Sequence, residues 1–248
     1  MDQSRTVFAI SGGDRVKFLQ SLVTNDVTRA RDVLIYTALL TPQGKFLFDF
    51  FMLDRGDDIL IDSAADQGPA LMQRLSMYKL RADVVVTPLD LHVHRGLGEQ
   101  PNDGLPDPRH TALGWRAYRE VPQTNDPTDW VALRVAHLVP ETGAELIAND
   151  SYILEMNFQN LNGVDFRKGC YVGQEVTARM KHKTELRKGL AQVSVTGECK
   201  FGDEITADGK SIGQILSRSG DTALAYIRFD RATDGMQAGD AQVALKTD

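Results

Sequence analysis

Apolar positions along the chain fall mostly into short alternating runs between polar turns, with helical three-to-four spacing in a few places. Val7-Phe8-Ala9-Ile10 reads as a strand. Ser11-Gly12-Gly13-Asp14 turns it into a helix whose Val16, Leu19, Leu22 and Val23 share a face, ended by Thr24-Asn25-Asp26. The next runs predict a strand pair: 34–40, a Pro42-Gln43-Gly44 turn, and 45–53. In the second strand Phe46, Phe48, Phe50 and Met52 alternate with Leu47, Asp49, Phe51 and Leu53. Both faces are therefore mainly apolar, which predicts a central strand covered on both sides; Asp49 is the exception on it. A strand at 59–61, a helix carrying Leu71, Leu75 and Tyr78, and a β-branched strand at 83–87 complete an α+β layer, with helices on one side of a mixed sheet.

From 96 to 127 the pattern dissolves. That stretch holds five of the nine prolines (Pro101, Pro106, Pro108, Pro122 and Pro127), which predicts an irregular excursion with one short strand near 114–118. Helical periodicity returns over 129–138 through Trp130, Leu133 and His137, and 140–164 is loop-rich. Beyond Gly189, strands at 190–196, 204–206, 211–217, 223–229 and 241–245 are separated by Gly and Asp turns, the habit of a small antiparallel barrel. A boundary near 188 follows, dividing the chain into 1–188 and a C-terminal β-barrel, 189–248.

Composition narrows the chemistry. A chain of 248 residues can bury its own core without disulfides or metal, and a net charge of −6 excludes a surface that neutralises phosphates throughout. No apolar run is long enough for a bilayer, and Met1-Asp2-Gln3-Ser4-Arg5 lacks the marks of a secretory signal, so the expectation is a cytoplasmic protein with no membrane partner. The two cysteines, Cys170 and Cys199, should be thiols there. No metal is expected: neither cysteine has zinc-ligand spacing, and His92, His94, His110, His137 and His182 form no His-x-x-x-His pair. His92 and His94 alternate on a strand and read as surface residues.

The informative segment is Asn162-Gly163-Val164-Asp165-Phe166-Arg167-Lys168-Gly169-Cys170-Tyr171-Val172-Gly173-Gln174-Glu175. It places Cys170 between glycines, near Lys168, at the apparent start of a helix through Val176, Thr177 and Met180. A helix dipole and a cation would both favour the thiolate, whereas a buried thiol acting as a small hydrophobe is the competing reading. Residues 165–188 carry seven basic and three acidic side chains, a local +4 that is either a solvated face or an anion-attracting rim for a polyglutamate tail, a phosphate or a nucleic-acid backbone. A Cys170–His182 nucleophile–base pair fits poorly, because twelve positions put the two about three turns apart.

Lys168-Gly169-Cys170-Tyr171-Val172-Gly173-Gln174-Glu175 resembles the signature of the YgfZ family, folate-binding relatives of the glycine-cleavage T-protein, an aminomethyltransferase. Supporting landmarks are Phe18-Leu19-Gln20, Thr24-Asn25-Asp26, Leu40-Thr41-Pro42-Gln43-Gly44-Lys45, Tyr78 to Val84, Asp107-Pro108-Arg109, Leu113-Gly114, Arg116, Gly213 and Ser217. The resemblance implies an α+β fold: a GcvT/YgfZ-like ring of mixed α+β layers around a central folate-sized hole, with the small C-terminal antiparallel β-barrel. It implies tetrahydrofolate or a folate derivative as cofactor, and a role in iron–sulfur cluster assembly or repair with a link to tRNA modification. As site residues it implies a reactive group of Cys170, Lys168 and Asp49, and a folate-contacting set of Asn25, Asp26, Tyr36, Phe48, Asp49, Arg134, Glu145, Gln174 and Glu175.

The residues support this at one point: a pterin needs carboxylate acceptors and an apolar slot, and Asp49 among its phenylalanines offers both. Elsewhere two readings stand. Asn25 and Asp26 equally form a helix stop, Tyr36 a strand aromatic, and Arg134 with Glu145 a structural ion pair. Where the T-protein pattern has paired aspartates this chain has Phe48-Asp49, and the T-protein position of Cys170 is typically not a cysteine. Both changes move the expectation from aminomethyl transfer toward a folate-dependent thiol function. The expected partners are folate and iron–sulfur clients or assembly factors, with RNA less favoured. A folate-dependent transferase and an adaptor docking through 165–188 are the alternatives, and turnover stays open.

Overall fold

The structure, a computed structural model, describes residues 4–31, 33–182 and 185–246. Met1–Gln3, Lys183 of the basic run and the last two residues of the barrel region lie outside them. The chain forms two compact units. The first comprises residues up to Thr128 with Ala148–Asp150 and Gln159–Val176; the second comprises Asp129–Ile147, Ser151–Phe158 and the residues from Thr177.

The first unit is built on a five-stranded sheet from β1 (Arg5–Ser11), β2 (Ile35–Leu40), β3 (Phe46–Asp54), β4 (Asp58–Ala64) and β5 (Val85–Pro88), in the order β2-β3-β4-β1-β5. As its apolar faces predict, β3 is interior. Every pairing in this sheet is antiparallel, which corrects the mixed sheet expected. The helical crossover from β4 to β5 skips a position, and β1 fills it running the other way. Helix α1 spans only Arg15–Gln20, shorter than its apolar spacing predicts; Leu22 and Val23 leave helical geometry yet stay buried with Phe8, Phe18, Leu19, Phe50 and Ile61 in one core. Helix α2 (Gly68–Tyr78) adds Leu71 and Leu75 to that core.

The proline-rich excursion is more ordered than its sequence suggests. Strands β6 (His92–Gly96), β7 (Leu105–Pro106) and β8 (Trp115–Arg119) make a second sheet in the order β6-β8-β7; the strand carrying His92 and His94 and the one near 114–118 were expected, and β7 was not. Prolines sit at the ends or outside of these strands, so they interrupt no ladder. His94 is buried, with Nε2 2.7 Å from the Val121 carbonyl, which corrects its surface reading.

The second unit holds α3 (Trp130–Ala136), capped by the Asp129 side chain, and a closed barrel from β9 (Lys188–Thr196), β10 (Glu204–Ala207), β11 (Lys210–Ser219), β12 (Thr222–Arg228), β13 (Met236–Ala238) and β14 (Ala241–Leu245). Ala191, Val193, Val195, Ile205, Ile215 and Ile227 fill its interior. The three-residue β13, too short to show periodicity, closes the barrel by pairing with β10 and β14 and so removes the exposed edge. Helix α4 (Gln174–His182) begins in the first unit and continues into the second.

Candidate functional site

The segment around Cys170 is an irregular loop seated on two turns of the first unit. On one side, the Thr24 hydroxyl donates to the Gly163 carbonyl at 2.7 Å and the Asp165 amide donates to the Thr24 carbonyl at 3.1 Å. Asn25 Nδ2 donates to the carbonyls of Tyr36 and Asn162, each at 2.7 Å, tying β2 to the same loop. Lys168 completes the attachment: its buried ammonium donates to the carbonyls of Gln20 (2.9 Å), Val23 and Asn25 (3.0 Å) and lies 5.0 Å from the Tyr171 ring centre. Burial pushes this ammonium down to about 8, against the opposing pull of Asp26 and Asp165.

On the other side, the loop closes onto the hairpin turn between β2 and β3. Gly173 has φ +83° and Gly44 φ +75°, and each allows an approach no side chain permits. A Cβ at Gly173 would stand 2.6 Å from the Thr41 carbonyl oxygen, and one at Gly44 would stand 2.7 Å from Cβ of Val176. Two separate sequence landmarks thus owe their glycines to a single contact. Held from both sides, the loop presents Cys170 to solvent.

This geometry changes two expectations. The helix begins at Gln174, four residues beyond Cys170, so the thiol lies outside the first turn in which a helix dipole acts. Lys168 is committed to three carbonyls, which makes it the residue that seats the loop. Asn25 spends its amide on carbonyls, and Asp26 caps a short 3-10 turn by accepting from the Thr28 amide at 3.0 Å and from Gln20 Nε2 at 3.0 Å. Gln174 is half-buried and Glu175 exposed in the first turn of α4.

A second constellation lies over β2, β3 and β8. Tyr36 donates its hydroxyl to Asp49 Oδ2 at 2.8 Å, which brings two of the expected folate residues together. Burial first and the Asp49 charge second push the Tyr36 phenol well above its usual range, so it stays a donor. Asp49 is half-buried, while the neighbouring Phe48 packs against the core. Around this pair stand residues not expected at the site, of which Asp107, Arg109 and Arg116 were landmarks of the resemblance and Arg5 and Asp62 were not. Arg109 grips Asp107 with two bonds (3.0 and 2.8 Å), Arg116 bridges Asp107 (3.1 Å) and Asp62 (2.9 Å), and Arg5 meets Asp62 at 2.5 Å. The guanidiniums of Arg116, Arg109 and Arg5 lie 4.0, 4.9 and 5.6 Å from the Phe51 ring centre, and Arg109 also lies 5.6 Å from that of Tyr36. The available signal was Asp62, a carboxylate directly after the apolar run Ile59 to Ile61 that has to find a cation once buried.

Arg134 and Glu145 meet in the second unit. Arg134 Nη1 donates to Glu145 Oε2 at 3.1 Å and to the Val139 carbonyl at 3.2 Å; Nη2 lies 3.0 Å from Glu141 and 3.3 Å from the Ser217 hydroxyl. Glu145 also accepts from the Glu141 and Ser217 amides. The pair joins α3, the following loop and β11, as the structural reading expects.

The fold is that of the aminomethyltransferases, α+β with a closed six-stranded C-terminal barrel. The glycine cleavage system aminomethyltransferase T from Bartonella henselae superposes with a TM-score of 0.79 over 98% of this chain and 83% of its own, at 12% identity. Residues 187–247 match the family model described as CAF17, C-terminal beta-barrel domain. Along nearly its whole length the chain is similar to proteins named iron–sulfur cluster assembly factor IBA57, mitochondrial, or its homologues. Identity is 29% for the Pyricularia oryzae protein (99% of this chain, 75% of that protein) and 28% for the Homo sapiens protein (97% and 81%). For the Neurospora crassa protein it is 32% over 83% of this chain, which spans 55% of that relative. These relatives carry the IBA57 name rather than that of the YgfZ family. They also overturn the cytoplasmic location: all three are named mitochondrial, and a mitochondrial location is indicated instead.

Proposed function

We propose that this chain is an iron–sulfur cluster assembly factor of the IBA57 kind, which binds a folate and offers Cys170 as its working thiol. The observation that carries the reading is the seating of the loop. Lys168, Thr24 and Asn25 fix it on one side and the Gly44–Gly173 contact on the other, yet the cysteine between these anchors is exposed. A thiol kept for packing would be turned inward. An exposed one on a fixed loop suits ligation of a cluster that is cargo, or attack on a thiol-reactive partner.

For folate, the supporting chemistry is at Asp49. A carboxylate has acceptor sites beyond the one that Tyr36 uses, and a half-buried position lets a ring N–H reach it. The residues therefore fit a pterin edge. A bound tetrahydrofolate would supply a one-carbon carrier, while Tyr36 would hold the carboxylate in orientation and the arginine network would keep Phe51 fixed beneath it. The neighbouring Phe48 lies where a second aspartate would serve aminomethyl transfer, which weighs against that activity.

Titration with tetrahydrofolate tests the cofactor: binding is expected, retained in Cys170→Ala and lost in Asp49→Asn. Restoration of iron–sulfur enzyme activity in cells lacking the protein tests the thiol, and Cys170→Ala should fail to restore it. No folate binding by the wild type removes the pocket. Full restoration by Cys170→Ala removes the thiol role.

A further inference from the structure

At the root of the Cys170 loop the sequence reads Leu161-Asn162-Gly163, and this is the one place in the chain where glycine follows asparagine. The other six asparagines are followed by Asp, Phe or Leu. The side-chain carbonyl carbon of an asparagine and the backbone nitrogen of the next residue can close a five-membered ring. Glycine in that next place leaves the nitrogen uncrowded by any Cβ. Asparagine counts among the thermolabile residues for this reason. The ordinary use of such a residue is to turn the chain, and Asn162 does so with φ +54°, a conformation asparagine tolerates.

The structure adds the conditions for the ring to close. Asn162 is exposed, so water reaches its carboxamide. Its Nδ2 donates to the Pro108 carbonyl at 2.9 Å, which orients the group, and its Oδ1 makes no hydrogen bond among the described residues. The Gly163 amide also makes none among them, although Gly163 is buried, so no hydrogen bond has to break before that nitrogen attacks. The position is consequential as well. The Asn162 carbonyl accepts from Asn25 Nδ2 at 2.7 Å, and the Gly163 carbonyl accepts from the Thr24 hydroxyl at 2.7 Å. The peptide bond between them therefore lies between two of the anchors that seat the loop.

We propose that Asn162-Gly163 is a self-modification site, at which the folded chain converts Asn162 to aspartate and isoaspartate and so loosens the loop that presents Cys170. The Gly163 nitrogen loses its proton to solvent base and attacks Cγ of Asn162. The N–Cγ bond forms, the Cγ–Nδ2 bond breaks, and Nδ2 takes a proton from solvent and leaves as ammonia. Water then opens the cyclic imide at either carbonyl. Cleavage of the N–Cγ bond gives aspartate; cleavage of the bond to the main-chain carbonyl carbon gives isoaspartate, whose chain runs through Cβ and Cγ. One water is consumed for each ammonia released, and nothing is oxidised or reduced. The aspartate product sets a carboxylate, which only accepts, against the Pro108 carbonyl where a donor stood. The isoaspartate product adds one carbon–carbon bond, about 1.5 Å of chain, between the anchors and takes the carbonyl that Asn25 holds off the main chain.

The test holds the folded full chain at neutral and at mildly alkaline pH. Mass spectrometry of digests follows replacement of NH2 by OH, and an isoaspartate-specific methyltransferase with a labelled methyl donor detects the rearranged product. Asn162 is expected to convert about tenfold faster than any other asparagine of the chain, and Gly163→Ala to slow it about tenfold by crowding the nitrogen. The rate should climb with pH, because base takes the amide proton. Asn162→Gln, which would need a larger ring, should give no methyltransferase signal. In a Cys199→Ser background, Cys170 of the converted protein should react with a chromogenic disulfide at a rate several-fold different from that of fresh protein. Conversion of Asn162 no faster than that of the other asparagines, or conversion in urea but not in the folded chain, overturns the proposal. Conversion with an unchanged Cys170 rate overturns the loosening of the loop. Should Gly163→Ala not fold, the comparison with the other asparagines and with Asn162→Gln decides in its place. The consequence for the loop rests on the proposed role of Cys170, but the reaction itself needs neither folate nor a cluster. Its failure therefore leaves the proposed function standing, and failure of that function leaves the conversion of Asn162 to be read directly.

Discussion

Replacing Lys168 by methionine isolates what seats the reactive loop. The ammonium bonds three carbonyls, those of Gln20, Val23 and Asn25, and methionine keeps much of the stem while removing every donor. Each carbonyl left unpaired in a buried site costs about 1–3 kcal/mol, offset by relief from burying a charge; a net loss of about 2–4 kcal/mol follows. Urea unfolding measures it. In a Cys199→Ser background, the reaction rate of Cys170 with a chromogenic disulfide reports the loop itself and should change several-fold. The pH dependence supplies a further check. Lys168 ionises at about 8 in the fold against 10.5 when free, so between those values the unfolded chain holds more protons. The Lys168 contribution to unfolding free energy therefore rises with pH across that window and is flat below it, and the wild type should gain on Lys168→Met there. An unchanged unfolding midpoint together with an unchanged Cys170 rate would refute the assignment of Lys168 as the anchor.

Two other outcomes follow from the same geometry. Gly173→Ala forces a Cβ to 2.6 Å from the Thr41 carbonyl at φ +83°, so it should cost about 1–3 kcal/mol in thermal unfolding and alter Cys170 accessibility, whereas Gly169→Ala, with open space around its Cβ, should not. Asp107 is held well below the usual carboxylate range: burial opposes its charge, but Arg109 and Arg116 outweigh that. Its stabilisation is therefore present above the ordinary carboxylate value and is lost as acid takes the pH down toward the depressed one. Acid unfolding followed by circular dichroism should be shallower in Asp107→Asn, which should already be about 3–5 kcal/mol less stable at neutral pH.

Local order was legible where a short-range rule governs it. Alternation along Phe46 to Leu53 predicts an interior strand, Asp129 marks the start of α3, and evenly spaced strands with Gly turns announce the barrel. The informative loop stood out because glycines, a lysine and a cysteine in one run have no simple packing explanation. The arrangement around it was not legible. Nothing near Lys168 in the chain shows that its ammonium would be spent on carbonyls some 145 residues earlier rather than on the neighbouring thiol. Likewise Gly44 and Gly173 look like independent turn glycines until the fold presses one against the other.

The sequence by itself determined most of the strands and helices, the barrel and the unusual character of the cysteine loop, because periodicity, turn chemistry and capping act over a few residues; β7 and β13 were too short to show it. Tertiary structure alone decided that Cys170 is exposed, that Tyr36 meets Asp49, that five strands pair antiparallel throughout, and that three arginines share two buried aspartates. The physical reason is that a buried charge must find its counter-charge wherever the chain returns, and solvent access depends on every segment that packs around a residue. Neither quantity is a property of a local window.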